Sequence, residues 1–251
     1  MTDLSKRQGL LYRIGLALAL VLGLYFVVGW FTTTNSRGDE PVRANIERLM
    51  TSSPAGKVVK ERFPDEFAAM VDRNVTNELD PNLTRAQKDR LIEQANRDMR
   101  DRNGDHAYYA PPEVLLKVLQ HLRDDTNLVL DEYGAATCAR YLNEGTDVLP
   151  RLSDKVKTSN ATIGEMNILA IAEGRDHPTS RSDITEDDLT ELQAAVAAFG
   201  VDLDELQDTA LGRPTDNACI NTLAVIQVAI NLPGDVGDRV RANLVWTMAK
   251  A

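Results

Sequence analysis

From Ile14 to Phe31 the chain reads IGLALALVLGLYFVVGWF, eighteen residues without a charge in a sequence that is 26% charged overall. At ~1.5 Å per residue this run forms a helix of ~27 Å, close to the ~30 Å hydrocarbon thickness of a bilayer. Leu10 and Leu11 extend it. Arg13 lies near the end, where its stem can reach the headgroups, and Tyr25 and Trp30 supply amphipathic rings toward the far side. A cleavable signal peptide shares the basic start, Lys6 and Arg7, but its apolar core spans roughly 7–15 residues. The small-x-small site inside the run, Ala17-Leu18-Ala19, would on cleavage leave a long apolar N-terminus.

The sequence therefore predicts an uncleaved signal anchor. Residues 1–9 form a short cytoplasmic tail, 10–31 a transmembrane helix, 32–40 a polar linker, and 41–251 an extracytoplasmic domain with a possible subdivision near 146–160. The tail region carries Lys6, Arg7 and Arg13 against the single acid Asp3, and charge on short tails sets orientation. The expected setting is a bacterial inner membrane, single-pass, with the C-terminal domain in the periplasm. The membrane, through residues 10–31, and another envelope or membrane protein are the expected partners. The net charge is −10, so nucleic acid is an unfavourable one.

Past the anchor, local signals are helical. Pro41 opens a short helix ending near Met50, and TSSP interrupts it. Pro64 to Leu79 sets Phe67, Val71, Val75 and Leu79 on one face. Thr84 with Gln87 reads as a capping box, followed by Leu91, Ile92, Ala95 and Met99, with a stop at Asn103-Gly104. Pro111-Pro112 starts an apolar helix through Leu122, and a second helix runs from about Thr126 to Glu144. A short helix is expected over Ala161–Glu173. Thr185 and Asp188 form a second capping box, with Leu189, Leu192, Val196 and Phe199 as the stripe and Gly200 as the stop. A short helix from Asp202 to about Leu211, one over Asn217–Asn231 capped by Asp216, and one over Val236–Lys250 complete the chain. No stretch alternates like a strand. The expected class is all-α: one N-terminal transmembrane helix, then a helical bundle or irregular helical array.

Cys138 and Cys219 are the only two cysteines. Cys219 shares a face with Leu223, Ile226 and Ile230, and Cys138 with Ala135, Tyr141 and Leu142. Buried thiols are common, but outside the cytoplasm an even count favours pairing. A Cys138–Cys219 disulfide is expected, tying the helix over Thr126–Glu144 to that over Asn217–Asn231.

Catalytic motifs are missing. The chain has no G-x-G-x-x-G, P-loop, G-x-S-x-G or H-E-x-x-H. DRNGDH, Asp101–His106, places Gly104 like the sixth residue of a calcium loop, but Met99 and Ala110 then occupy positions one and twelve, where an EF-hand needs oxygen ligands. Asp105, His106, His121 and Asp125 are weak metal candidates, with no spacing that demands a site. Glu165, in IGEMNIL, is the most apolar-flanked carboxylate and a weak candidate for acid catalysis, since burial raises a carboxyl pKa. No cofactor is implied, and no motif carries a family resemblance. The leading expectation is a membrane-anchored interaction or scaffolding protein rather than an enzyme. An envelope hydrolase using Glu165 or a metal, and a ligand-binding sensor domain, are the alternatives.

Overall fold

The computed structural model describes residues 39–149, 151–210, 215 and 217–250. The expected tail (1–9), the transmembrane helix (10–31) and most of the linker lie outside these residues, and no helix among them is long and apolar enough to cross a membrane. The described residues are helical, with no strand, in agreement with the all-α expectation.

Eleven α-helices are described: α1 Asp39–Met50, α2 Pro54–Arg62, α3 Pro64–Leu79, α4 Arg85–Asn103, α5 Pro112–Tyr133, α6 Ala135–Glu144, α7 Asp154–Asp176, α8 Glu186–Ala198, α9 Leu203–Ala210, α10 Ala218–Asn231 and α11 Gly234–Lys250. Short 3₁₀ segments span Gly104–Tyr109 and Gly145–Val148. The starts follow from local chemistry. Pro54, Pro64 and Pro112 open α2, α3 and α5, where a missing N–H costs nothing. Both expected capping boxes form, Thr84 with Gln87 and Thr185 with Asp188.

Helix α7 is the axis of the fold. It packs against α5 on one side and α2 on another, and also touches α11 and the Gly104–Tyr109 segment. The possible boundary near 146–160 overlaps the start of α7, and helices from before and after it pack on α7. One apolar core runs through the whole assembly, with Leu115, Leu119, Leu122, Ile163, Ile171, Ile226 and Leu244 among its buried members. At the C-terminal end of α2, Arg62 donates to Glu173 (2.9 Å) and to Asp176 (2.8 Å). Arg175 donates to the Arg62 carbonyl and stands 4.3 Å over the Phe63 ring. These contacts fasten α2 to the end of α7.

Three expectations need correction. The helix from Pro112 does not stop at Leu122: it continues to Tyr133, because Asp125 and Thr126 are buried and bonded within it rather than forming a turn. The real break is Gly134, whose φ of 79° is the left-handed region that favours glycine. The helix expected over Ala161–Glu173 begins seven residues earlier, at Asp154, where the Ser153 hydroxyl accepts from the Val156 N–H. Two residues assigned to buried stripes lie outside: Phe199 is 59% exposed and Leu79 44%. Each sits at a helix end, where the chain turns away from the core. The expected cap at Asp216 lies outside the described residues, and Asn217 takes the N-cap position of α10.

Candidate functional site

Helices α1 to α4 close over one face of α7 and leave a cleft of about 120 Å³. Its walls are Ile46 and Met50 from α1, Val59 from α2, Met70 from α3, Ile92 and Met99 from α4, and Ile168 from α7. Gly164 and Ala161 of α7 leave the space open. A Cβ added at Gly164 would meet only the Ala55 Cβ, at 3.9 Å. Methionine is common at apolar surfaces that adapt to an occupant, and three of the chain's six methionines are here.

Polar groups also reach the cleft. Arg100 is the only charged residue among its described lining. Burial lowers the Arg100 pKa, Arg97 lowers it further and Asp101 acts the other way. Asn74 is 7% exposed, and its Oδ1 accepts no hydrogen bond; its Nδ2 has only the soft Met50 sulfur, at 3.8 Å. A buried carbonyl oxygen without a donor costs about 1–3 kcal/mol, so this amide is a standing penalty unless an occupant supplies a donor.

Another polar lining residue, Asn160, connects the cleft to a buried network. Its Nδ2 donates to Asp125 Oδ1 (3.2 Å), and the Tyr141 hydroxyl lies 2.6 Å from Asp125 Oδ2 and 3.0 Å from Asn160 Oδ1. Tyr141 has one proton for two acceptors. With a proton on Asp125, Asp125 donates to the Tyr141 oxygen, Tyr141 to Asn160, and Asn160 back to Asp125. Burial raises the Asp125 pKa, against the opposing hydrogen bonds from Tyr141 and Ser159. Asp125 makes no ion pair among the described residues.

The remaining sequence candidates do not assemble. Asp105 accepts from Trp246 Nε1 (2.9 Å) and pairs with Lys250 (3.2 Å), and these bonds hold its carboxyl below the usual range. That carboxylate is committed to α11, while Asp125 is committed to Tyr141 and Asn160. Although His121 and Asp125 are one helical turn apart on α5, no group of three or more His, Cys, Asp or Glu side chains converges among the described residues. The metal set of Asp105, His106, His121 and Asp125 is therefore not brought together. Glu165 is half-buried on α7, beside the cleft-lining Gly164, and no carboxylate is among the described lining residues. Cys138 on α6 and Cys219 on α10 stand at disulfide distance, with Cα atoms 5.8 Å apart, within the range a bridge needs. Both are fully buried.

Sequence reasoning missed the cleft because five helices supply it, and no single stripe announces it. The available signal was IGEMNIL: a glycine in the middle of an apolar helix, where it costs about 1 kcal/mol relative to alanine, marks a place where a side chain is unwanted. Compared with known proteins, the chain matches no family model, no curated protein and no solved structure.

Proposed function

We propose that this chain is a membrane-anchored, extracytoplasmic binding protein, which acts by holding another molecule rather than converting it. The observation that carries the reading is the cleft under α1–α4: among the described residues, a largely apolar space with the buried Asn74 amide oxygen, which has no donor, in its lining. Ligand pockets are typically apolar with few polar groups that fix orientation, and this one has that composition. The sensor-like version of the sequence reading gains a site in this way. The hydrolase version gains none among the described residues, where no carboxylate lines the cleft and no metal set converges.

The tether reading rests on the uncharged run 14–31 and the basic residues before it. A clasp between α6 and α10 through Cys138 and Cys219 suits an oxidising compartment. In this arrangement the anchor holds the domain at the membrane and the domain presents its cleft to molecules or partners of the envelope.

The test uses full-length protein purified from native membranes. Solvent extracts of wild type and of Gly164→Leu are compared by mass spectrometry, the leucine filling the space that Gly164 leaves open. A small molecule carried by wild type and lost from a folded Gly164→Leu protein is the expected result. Identical extracts would overturn the binding reading. A reporter active only outside the cytoplasm, fused at Ala251, tests the topology; an inactive reporter on membrane-bound protein would refute it.

A further inference from the structure

Most polar groups around the cleft are already bonded. Ser53 Oγ accepts from the Gly56 N–H (3.1 Å) and reaches the Met50 carbonyl (3.4 Å). The Asn160 amide donates to Asp125 and to the Val156 carbonyl. Arg100 is engaged in an interaction of its own, so it is not a cation waiting for an anionic occupant. Asn96 is part-exposed, where water can serve it. Asn74 differs: it is 7% exposed, and its Oδ1 has no donor. Its Nδ2 faces the Met50 sulfur at 3.8 Å. A thioether accepts and cannot donate, which keeps the oxygen as the unpaired end of the amide. Met50 lies over that amide and also lines the cleft. A methionine side chain turns about three bonds, so an occupant reaches Oδ1 as Met50 swings aside.

From the unpaired amide and its apolar surroundings we infer that the cleft binds a neutral short-chain hydrocarbon carrying a hydroxyl: chain against the methionine and isoleucine walls, O–H donating to Asn74 Oδ1. The inference rests on the binding reading above and adds the chemical class of the ligand. A dry engineered cavity of ~150 Å³ takes one benzene, so about 120 Å³ takes roughly five or six carbons. A ketone or ether brings no donor and leaves Oδ1 unpaired. A carboxylate also lacks a donor and must shed its water in an apolar space. An alkylammonium has donors but meets the same desolvation cost, with a guanidinium in the lining. A secondary amide brings an N–H together with a carbonyl that needs a donor of its own, whereas a hydroxyl is the smallest group that meets the need.

Calorimetric titration of the full-length protein with 1-hexanol, 2-hexanone, hexanoate and hexylammonium tests this, with Gly164→Leu in the same detergent as the reference for uptake by micelles. The expected order is 1-hexanol first, 2-hexanone about tenfold weaker, as one hydrogen bond to a buried oxygen implies, and the two ions weakest. Asn74→Leu should remove the advantage of 1-hexanol over 2-hexanone. Without ligand it should melt at or above wild type, since it deletes an unpaired buried amide. The molecule extracted from wild type should be neutral and hydroxylated, and its mass separates a free alcohol from a hydroxyl-bearing lipid. Hexanone binding as tightly as hexanol, either ion binding more tightly, an alcohol preference that persists in folded Asn74→Leu, or a charged native molecule would overturn the ligand class and leave the binding reading standing. If none of the four probes binds while Gly164→Leu still removes a native small molecule, the ligand class alone falls. If that difference is also missing, both readings fall together.

Discussion

Two glycines ten residues apart on α7 should respond to alanine with opposite signs. Gly164 faces the cleft, where an added Cβ meets only the Ala55 Cβ at 3.9 Å, an ordinary contact. Alanine there gains about 1 kcal/mol of helix propensity, and its methyl covers apolar wall that is otherwise bare. Gly174 faces the 3₁₀ segment. An added Cβ would lie 1.8 Å from the His106 carbonyl oxygen and 2.9 Å from the Ala110 nitrogen, both main-chain atoms. That segment has nowhere to go, because Ala107 on it and Ala110 just after it are fully buried. Separating it from α7 opens the core, and a cost of about 3 kcal/mol or more is expected, as for overpacked sites. Thermal unfolding of full-length protein in detergent, followed by circular dichroism, measures both. With ~2–4 °C per kcal/mol for a domain of this size, Gly164→Ala should melt a few degrees above wild type and Gly174→Ala about 6–12 °C below. Gly174→Ala as stable as wild type would show that the segment does not press on α7. A destabilised Gly164→Ala would show that the cleft is not open.

Asp188 closes the α8 capping box and takes two bonds from Arg239, 2.6 and 2.8 Å, which hold its pKa down to about 2. Its folded value lies below the ordinary ~3.9, so its contribution is complete above pH ~5 and fades as pH falls toward 2; Asp188→Asn should be less stable than wild type at pH 6, with the gap closing near pH 2. Asp125 has the opposite sign: burial raises its pKa, so the native state binds its proton more readily, and stability should rise as pH is lowered from neutral toward 4. Asp125→Asn keeps the three-bond ring with Tyr141 and Asn160, so it should flatten that slope and match or exceed wild type at pH 7, whereas Asp125→Ala should lose about 2–4 kcal/mol; an unstable Asp125→Asn would refute the protonated ring. The Cys138–Cys219 pair closes a separation of 81 residues, worth about 4 kcal/mol in the chain-entropy view, so reductant should lower the melting temperature of protein taken from its native compartment, and non-reducing peptide maps should show the two peptides joined.

Much of the helical order was legible because its signals are local. Thr84 with Gln87 and Thr185 with Asp188 write their caps within four residues, and Pro64 and Pro112 fix starts by their missing N–H. The failures came where distant residues decide. Asp124-Asp125 resembles a polar interruption, and only Tyr141 and Asn160, sixteen and thirty-five residues on, show that Asp125 belongs inside a helix. Glu165 drew attention as a carboxylate in apolar company, while the informative residue was its neighbour Gly164, whose meaning depends on Ala55 and the helices around it. The cysteine pair was legible from two helical faces and an even count, since each face pointed inward.

The methionine methyls offer the most direct test of the cleft as a binding site. Met50, Met70 and Met99 line it, whereas Met166 and Met248 lie outside its described lining. With ¹³C-methyl-labelled methionine in the full-length protein, titration with the small molecule extracted from wild-type protein should shift the resonances of Met50, Met70 and Met99 together, saturating at one equivalent, and leave Met248 in place. Shifts confined to Met166 and Met248, or none at any methionine, would contradict the account.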